Sequence, residues 1–273
     1  MAKYRCAIGD VPILGERDMA RMESEAAELT RSRGGERHGM IPRDWTRTPL
    51  GSFCAPFKLP TIPRDQWKER IADLVKYKAR LSDLIAYHKL TVKNQGQTPL
   101  CWTFGITYAY ETALLQRHRT KVRLSPASVG QLIQGVNGMA GGYGPEAIKK
   151  IGEAGIVPSS MWPDSKYGRQ YDNAETKAAR KKYLMTEWLD LATRNFDQVM
   201  TCLLMLFPLG GGFNWWRHLV MLCDPVDLGR DEYGILIGNS WGPSYGENGF
   251  AVLQGSKCIP DTANAPNVGL MQL

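Results

Sequence analysis

The chain of 273 residues can bury one large core or two modest ones, and its composition, 43% hydrophobic and 22% charged, is that of an ordinary soluble globular protein. The formal net charge of +7 is scattered rather than gathered into Lys/Arg runs, which argues against a nucleic-acid partner. No window approaches the roughly 18 apolar residues of a membrane span, so no membrane partner is expected.

The start, MAKYRCAIGD, lacks the basic-then-apolar layout of a signal peptide. A cytoplasmic setting, without secretion by that route, is the expectation. Residues 1–60 are densely charged in part and read as an extension with a short helix and a linker at SRGG, and the Pro-led IPRDW at 41–45 is followed by a similar IPRDQW at 62–67. Such an arm would wrap the core, gate it or dock on a partner. Residues 61–273 then form the main domain, with a helical lobe at about 65–175, a strand-rich lobe at about 180–260 and a tail at 261–273.

From Arg64 to Leu90 the pattern predicts a helix with Ile71, Leu74, Val75, Lys78 and Leu81 on one face. The loop NQGQTPL interrupts it, and a further helix is expected over Trp102–Arg117, with Trp102, Ile106, Ala109 and Ala113 as its buried stripe. Ser125 and Pro126 are placed as N-cap and first residue of the next helix. Another helix begins at Pro145 and closes on Gly155. Beyond it, YLMTEWLDL reads as a strand and NFDQVMTCLLMLF as a helix capped by Asn195. HLVMLCDPV, EYGILIGNS and GFAVLQG read as strands parted by turns. Helices first and strands later predict an α+β protein of two lobes with a cleft between them.

Of the six cysteines, none forms a CxxC pair or stands near a histidine at ligand spacing, so neither a metal nor a cofactor is expected. Cys101 differs from the others in its setting, QGQTPLCW. It opens a helix, whose N-terminal partial charge favours thiolate over thiol. Gln95 is near enough to offer its amide to a developing oxyanion, with the N–H of Cys101 as second donor. A thiol nucleophile also needs a base. His218 alone of the four histidines opens an apolar strand, in the second lobe, from which it can face the helix across the cleft. Asn239, ending the next strand, is placed to hold the imidazole in one tautomer, and Trp241 to shield that bond from water.

Taken in order, QGQTPLCW, the strip Gly141–Gly142–Tyr143, the strand headed by His218, and NSWG with YGENGF resemble the papain-like cysteine peptidases over roughly Leu81 to Gln254. The resemblance implies a papain-like fold with a helical lobe and an antiparallel β-barrel-like lobe. It implies Cys101 as nucleophile, His218 as base, Asn239 as orienter and Gln95 as oxyanion donor. Gly141, Gly142 and Tyr143 would meet the backbone of a peptide or protein substrate, with Trp102 and Trp241 beside it. The family's usual cysteine three residues before the nucleophile is Thr98 here, and its disulfide partner is Met139 or Ala140, in keeping with a reducing compartment. His218 follows Cys101 by 117 residues and Asn239 by 138, against about 130–150 expected, so a loop of the second lobe is shortened.

Other departures bear on activity. Pro99 and Leu100 replace small residues and are expected to narrow the channel, and Arg217 is expected to disfavour a charged His218. RLSDL, LSPASVG, EWLDL, WWRH and GSKCIPD are similar to a divergent, phage-encoded group, which implies a virion-associated protein with residues 1–60 against other virion proteins. The rival to a thiol peptidase is therefore a structural or assembly protein on the same scaffold, without turnover.

Overall fold

The helix that opens at Cys101 is enclosed by protein on every side. A computed structural model of the chain describes residues 2–31 and 38–267. In it, helix α4 (Cys101–His118) is buried continuously from Cys101 to Leu115, so the single buried stripe expected from its spacing is exceeded. A helix apolar all round belongs inside a protein. Its one buried acid, Glu111, is held by Lys93 Nζ at 3.3 Å, Arg123 Nη1 at 2.9 Å and the Leu124 N–H at 2.6 Å. Burial raises the Glu111 carboxyl above its ordinary range, and the two cations pull it back.

Around α4 lie two lobes. One is built from α5 (Pro126–Gln134), α6 (Gly144–Ala154) and the short α7 (Ala174–Arg180). Ser125 caps α5 by accepting from the Ser128 N–H, and Gly155 closes α6 at φ +77, as the sequence predicts. The other lobe is a seven-stranded sheet in the order β3-β4-β9-β5-β6-β7-β8. Its strands are β3 (Ala55–Pro56), β4 (Glu187–Asp190), β5 (Leu209–Phe213), β6 (His218–Gly229), β7 (Glu232–Gly238), β8 (Phe250–Leu253) and β9 (Thr262–Asn267). All neighbours are antiparallel except β3 and β4. The sheet stays open, so the lobe is not a closed barrel. Helix α8 (Phe196–Leu204), capped by Asn195, packs on it through Val199, Cys202 and Leu203.

The helix expected over Arg64–Leu90 is broken. After a 3-10 turn come α2 (Trp67–Lys76) and α3 (Leu81–His88), separated by a turn in which Lys78 has φ 49. Two carboxylates fix the break. Asp83 accepts the Arg80 N–H at 3.1 Å, and the buried Asp224 of β6 accepts the N–H groups of Leu81 and Ser82 at 2.9 and 3.2 Å. Trp67 and Ile71 are buried, whereas Val75 is exposed.

The first residues belong to the strand-rich lobe. Strands β1 (Lys3–Cys6) and β2 (Gly9–Pro12) form a hairpin, and helix α1 (Glu16–Arg31) follows. Val11, Met19, Met22 and Ala26 are buried among residues of β6, β7 and β8. Burying a valine or methionine side chain stabilises by about 1.5–3 kcal/mol before the entropy of ordering the segment is counted. Among the described residues no helix is long and apolar enough to cross a membrane, and all six cysteines are free thiols.

Candidate active site

Cys101 lies where α4 begins, and β6 begins against it. The thiol is fully buried, in one cluster with Leu219, the residue after His218. The helix can come this close because residue 105, one turn on, is glycine. A Cβ there would fall 2.5 Å from the Leu219 side chain and 3.1 Å from its carbonyl oxygen.

The His218 imidazole is oriented from one side only. Its Nε2 lies 2.8 Å from Asn239 Oδ1, which also accepts the Ser240 N–H at 2.7 Å. An oxygen already accepting one N–H, and turned to the ring, fixes Nε2 as the protonated nitrogen and leaves a lone pair on Nδ1. Nδ1 is buried with no hydrogen-bond partner among the described residues. Two indoles enclose the ring, Trp216 and Trp241, each with its centroid 4.7 Å away.

Gln95 is joined to the same group. Its Oε1 accepts from Ser240 Oγ at 2.5 Å, its backbone N–H donates to the Ser240 carbonyl, and its Nε2 donates to the Thr98 carbonyl at 2.7 Å. Ser240 thus links the amide of one loop to the orienter of the other, a connection the sequence reading missed. Gly142 lies on the indole of Trp102, where a Cβ would fall 2.6 Å from the ring. Trp102 Nε1 donates to the Ala140 carbonyl, and Tyr143 precedes α6 as its N-cap. Gly141 adjoins this strip.

The cleft is occupied by the chain itself. His38, Gly39, Met40 and Ile41 run between the lobes as a strap. The Gly39 N–H points at Cys101 Sγ, 3.3 Å away. Gly142 donates to the Gly39 carbonyl at 2.8 Å and accepts from Ile41 N at 3.0 Å, making a parallel bridge about Met40. The Met40 N–H donates to the Arg217 carbonyl, and His38 Nδ1 donates to the Trp216 carbonyl at 2.8 Å. The Met40 side chain is 2% exposed and passes over Gly212, where a Cβ would fall 2.5 Å from its sulfur. Of the roles weighed for residues 1–60, residues 2–31 help build the core and residues 38–41 fill the cleft.

This strap sets the electrostatics. Burial raises the Cys101 thiol to about 11, opposed by the backbone N–H groups around the sulfur. His218 is lowered to about 3, by burial first and by His38 nearby, with the Asn239 bond opposing both. The ring centroids of His38 and His218 are 5.6 Å apart. Thiol and imidazole are therefore both neutral in the closed form. Besides burial, the neighbour that pushes His218 down is His38, a residue the sequence reading left in the charged extension. Leu100 is fully buried, in one cluster with Met40 of the strap. The Pro99 backbone lies against the strap, where a Cβ at Gly39 would fall 1.8 Å from its carbonyl oxygen.

No protein-family model matches the chain. It is similar to cathepsin K of Mus musculus, 22% identical over 219 residues, covering 72% of this chain and 64% of that protein. It is also similar to cathepsin K of Gallus gallus, 23% identical, covering 59% of this chain and 54% of that protein. The chain thus spans less than two thirds of either relative. Among solved structures, digestive procathepsin L2 proteinase from Tenebrio molitor superposes with a TM-score of 0.63 at 18% identity, covering 95% of this chain and 84% of that one. Xylellain, a cysteine protease from Xylella fastidiosa, superposes with a TM-score of 0.62 at 18% identity, covering 87% and 98%. With the helix-borne Cys101 set against the head of an antiparallel sheet, these likenesses give the chain the papain-like fold of the cysteine peptidases.

Proposed function

We propose that the chain is a papain-like cysteine peptidase acting on peptide or related amide bonds through an acyl-enzyme on Cys101, and that its closed form is latent. The observation carrying this reading is the orientation of His218. Asn239 holds its Nε2, and Leu219, the next residue of the strand that His218 heads, packs in one cluster with Cys101. With the strap out of the cleft, water reaches both groups and the burial that keeps them neutral is relieved. His218 Nδ1 then takes the thiol proton. The thiolate attacks a carbonyl carbon, and the Cys101 N–H with the Gln95 amide holds the oxyanion, Gln95 first turning from Thr98. His218 protonates the departing amine as the C–N bond breaks. Water, deprotonated by His218, cleaves the thioester and restores the thiol.

The Gly142 backbone, which pairs with Gly39 and Ile41 in the closed form, is the surface on which an extended substrate would pair. The strings similar to phage-encoded members support a particle-associated setting, with other virion proteins as substrates or partners. A fluorogenic peptide series tests the reading in a Gly39→Ala chain, whose strap cannot seat. Turnover is expected, falling by about a thousandfold or more on adding Cys101→Ala. Undiminished turnover in the double variant would remove Cys101 as the nucleophile, and none in the single variant would favour the assembly role.

A further inference from the structure

The strap and its flanks are held very differently. Ahead of it, Ile13 pairs with Val252, and Leu14 donates to the Val252 carbonyl at 2.9 Å. Asn248 Nδ2 and Gln254 Nε2 donate to the carbonyls of Ile8 and Leu14, each at 3.0 Å. Met19, Met22 and Ala26 share a core with Ile235, Ile237 and Leu253. Behind the strap, Arg43 makes a buried ion pair with Asp190 at 2.8 Å, and the Phe57 N–H donates to the Asp190 carbonyl. Between these anchors, residues 38–41 rest on backbone hydrogen bonds, on the buried Met40 side chain and on the half-buried His38 ring, which bonds the Trp216 carbonyl and stands 5.4 Å from the Trp241 ring. A segment lying on a surface leaves once it is cut. One whose side chains complete a core leaves only if that core opens.

We infer that residues 2–31 are a permanent part of the protein, and that the cleft opens by displacement of residues 38–41 alone. A chain cut ahead of the strap then keeps both pieces. Opening matters for activity only on the peptidase reading above, whereas retention of the first segment does not depend on it. The test uses the full chain carrying Gly39→Ala, with residues 32–37 replaced by the recognition sequence of a site-specific protease. After cutting, size-exclusion chromatography is followed by denaturing mass spectrometry of the peak. One peak at native size with both fragments in equal amount is expected, together with reaction of Cys101 with the epoxide E-64 at least about tenfold faster than in the uncut wild-type strap. A small fragment eluting alone from a folded remainder would overturn the inference, as would collapse of the cut protein into aggregate. Both fragments in one peak without an adduct would uphold retention and count against the peptidase reading.

Discussion

Gly39→Ala is expected to speed alkylation of Cys101 by two to three orders of magnitude near pH 7.5. Gly39 is absent from the positions of positive φ, so its backbone accepts alanine, but the added Cβ would lie 1.8 Å from the Pro99 carbonyl oxygen and 2.3 Å from its carbon. Both obstacles are backbone and cannot swing aside, so the strap must lift. The sulfur then regains water. A thiol held at about 11 is less than a thousandth ionised at pH 7.5, whereas one at the ordinary value of about 8.5 is roughly a tenth ionised. That ratio alone gives the expected gain, before access is counted. Iodoacetamide with intact-mass readout, using Cys101→Ala to subtract other thiols, measures it. Equal rates in wild type and Gly39→Ala would mean that the strap does not govern the thiol.

The same comparison has a pH signature. In the closed form His218 does not take a proton until about pH 3, whereas an open imidazole titrates near its ordinary value of about 6.5. The depressed group makes closure fully stable above about 6.5 and progressively less so as pH falls toward 3, by up to about 1.4 kcal/mol per unit. Wild-type reactivity relative to Gly39→Ala should therefore rise as pH is lowered from 7 to 5.

The second large effect concerns the anchor behind the strap. Arg43 and Asp190 have side chains 1% and 0% exposed. Beyond the ion pair, Arg43 donates to the carbonyls of Thr48 and Pro49 and stacks 3.8 Å from the indole of Trp45. Asp190 also accepts the Gly51 N–H and Asn264 Nδ2. Asp190→Ala removes one partner and strands the other, which for a buried pair costs about 3–5 kcal/mol, more than the pair itself adds. Urea unfolding should show the midpoint fall with little change in slope, and the strap, two residues from Arg43, should loosen. A midpoint within error of wild type would show that Arg43 finds water when Asp190 is gone.

The nucleophile region was legible because its signals are local. Ser125, Gly155 and Asn195 cap their helices as their residue types require. Cys101 opens its helix behind the loop that carries Gln95. The strands headed by His218 and ended by Asn239 read correctly from their apolar runs. Legibility failed where the partner is remote. The break between α2 and α3 is fixed by Asp224, some 143 residues from Leu81. Strand β5 is LGGGF and strand β9 is TANAPN, whose small residues show no period-2 alternation. In β5 that smallness serves the packing, since a Cβ at Gly210 would meet Ile106 and one at Gly212 would meet Met40. The strap HGMIP has no periodicity at all. Its contacts with Cys101 and Trp216 span 62 and 178 residues, and no window of the sequence holds both ends.

The central claim, an activatable thiolate at Cys101 behind a displaceable strap, is tested most directly with the epoxide E-64. The measurement is intact mass after exposure near neutral pH, for wild type, Gly39→Ala, and Gly39→Ala carrying His218→Ala. A single adduct that maps to Cys101, forms quickly only in Gly39→Ala and vanishes without His218 is the predicted result. No adduct on a folded Gly39→Ala chain, or one that forms equally well without His218, would contradict it.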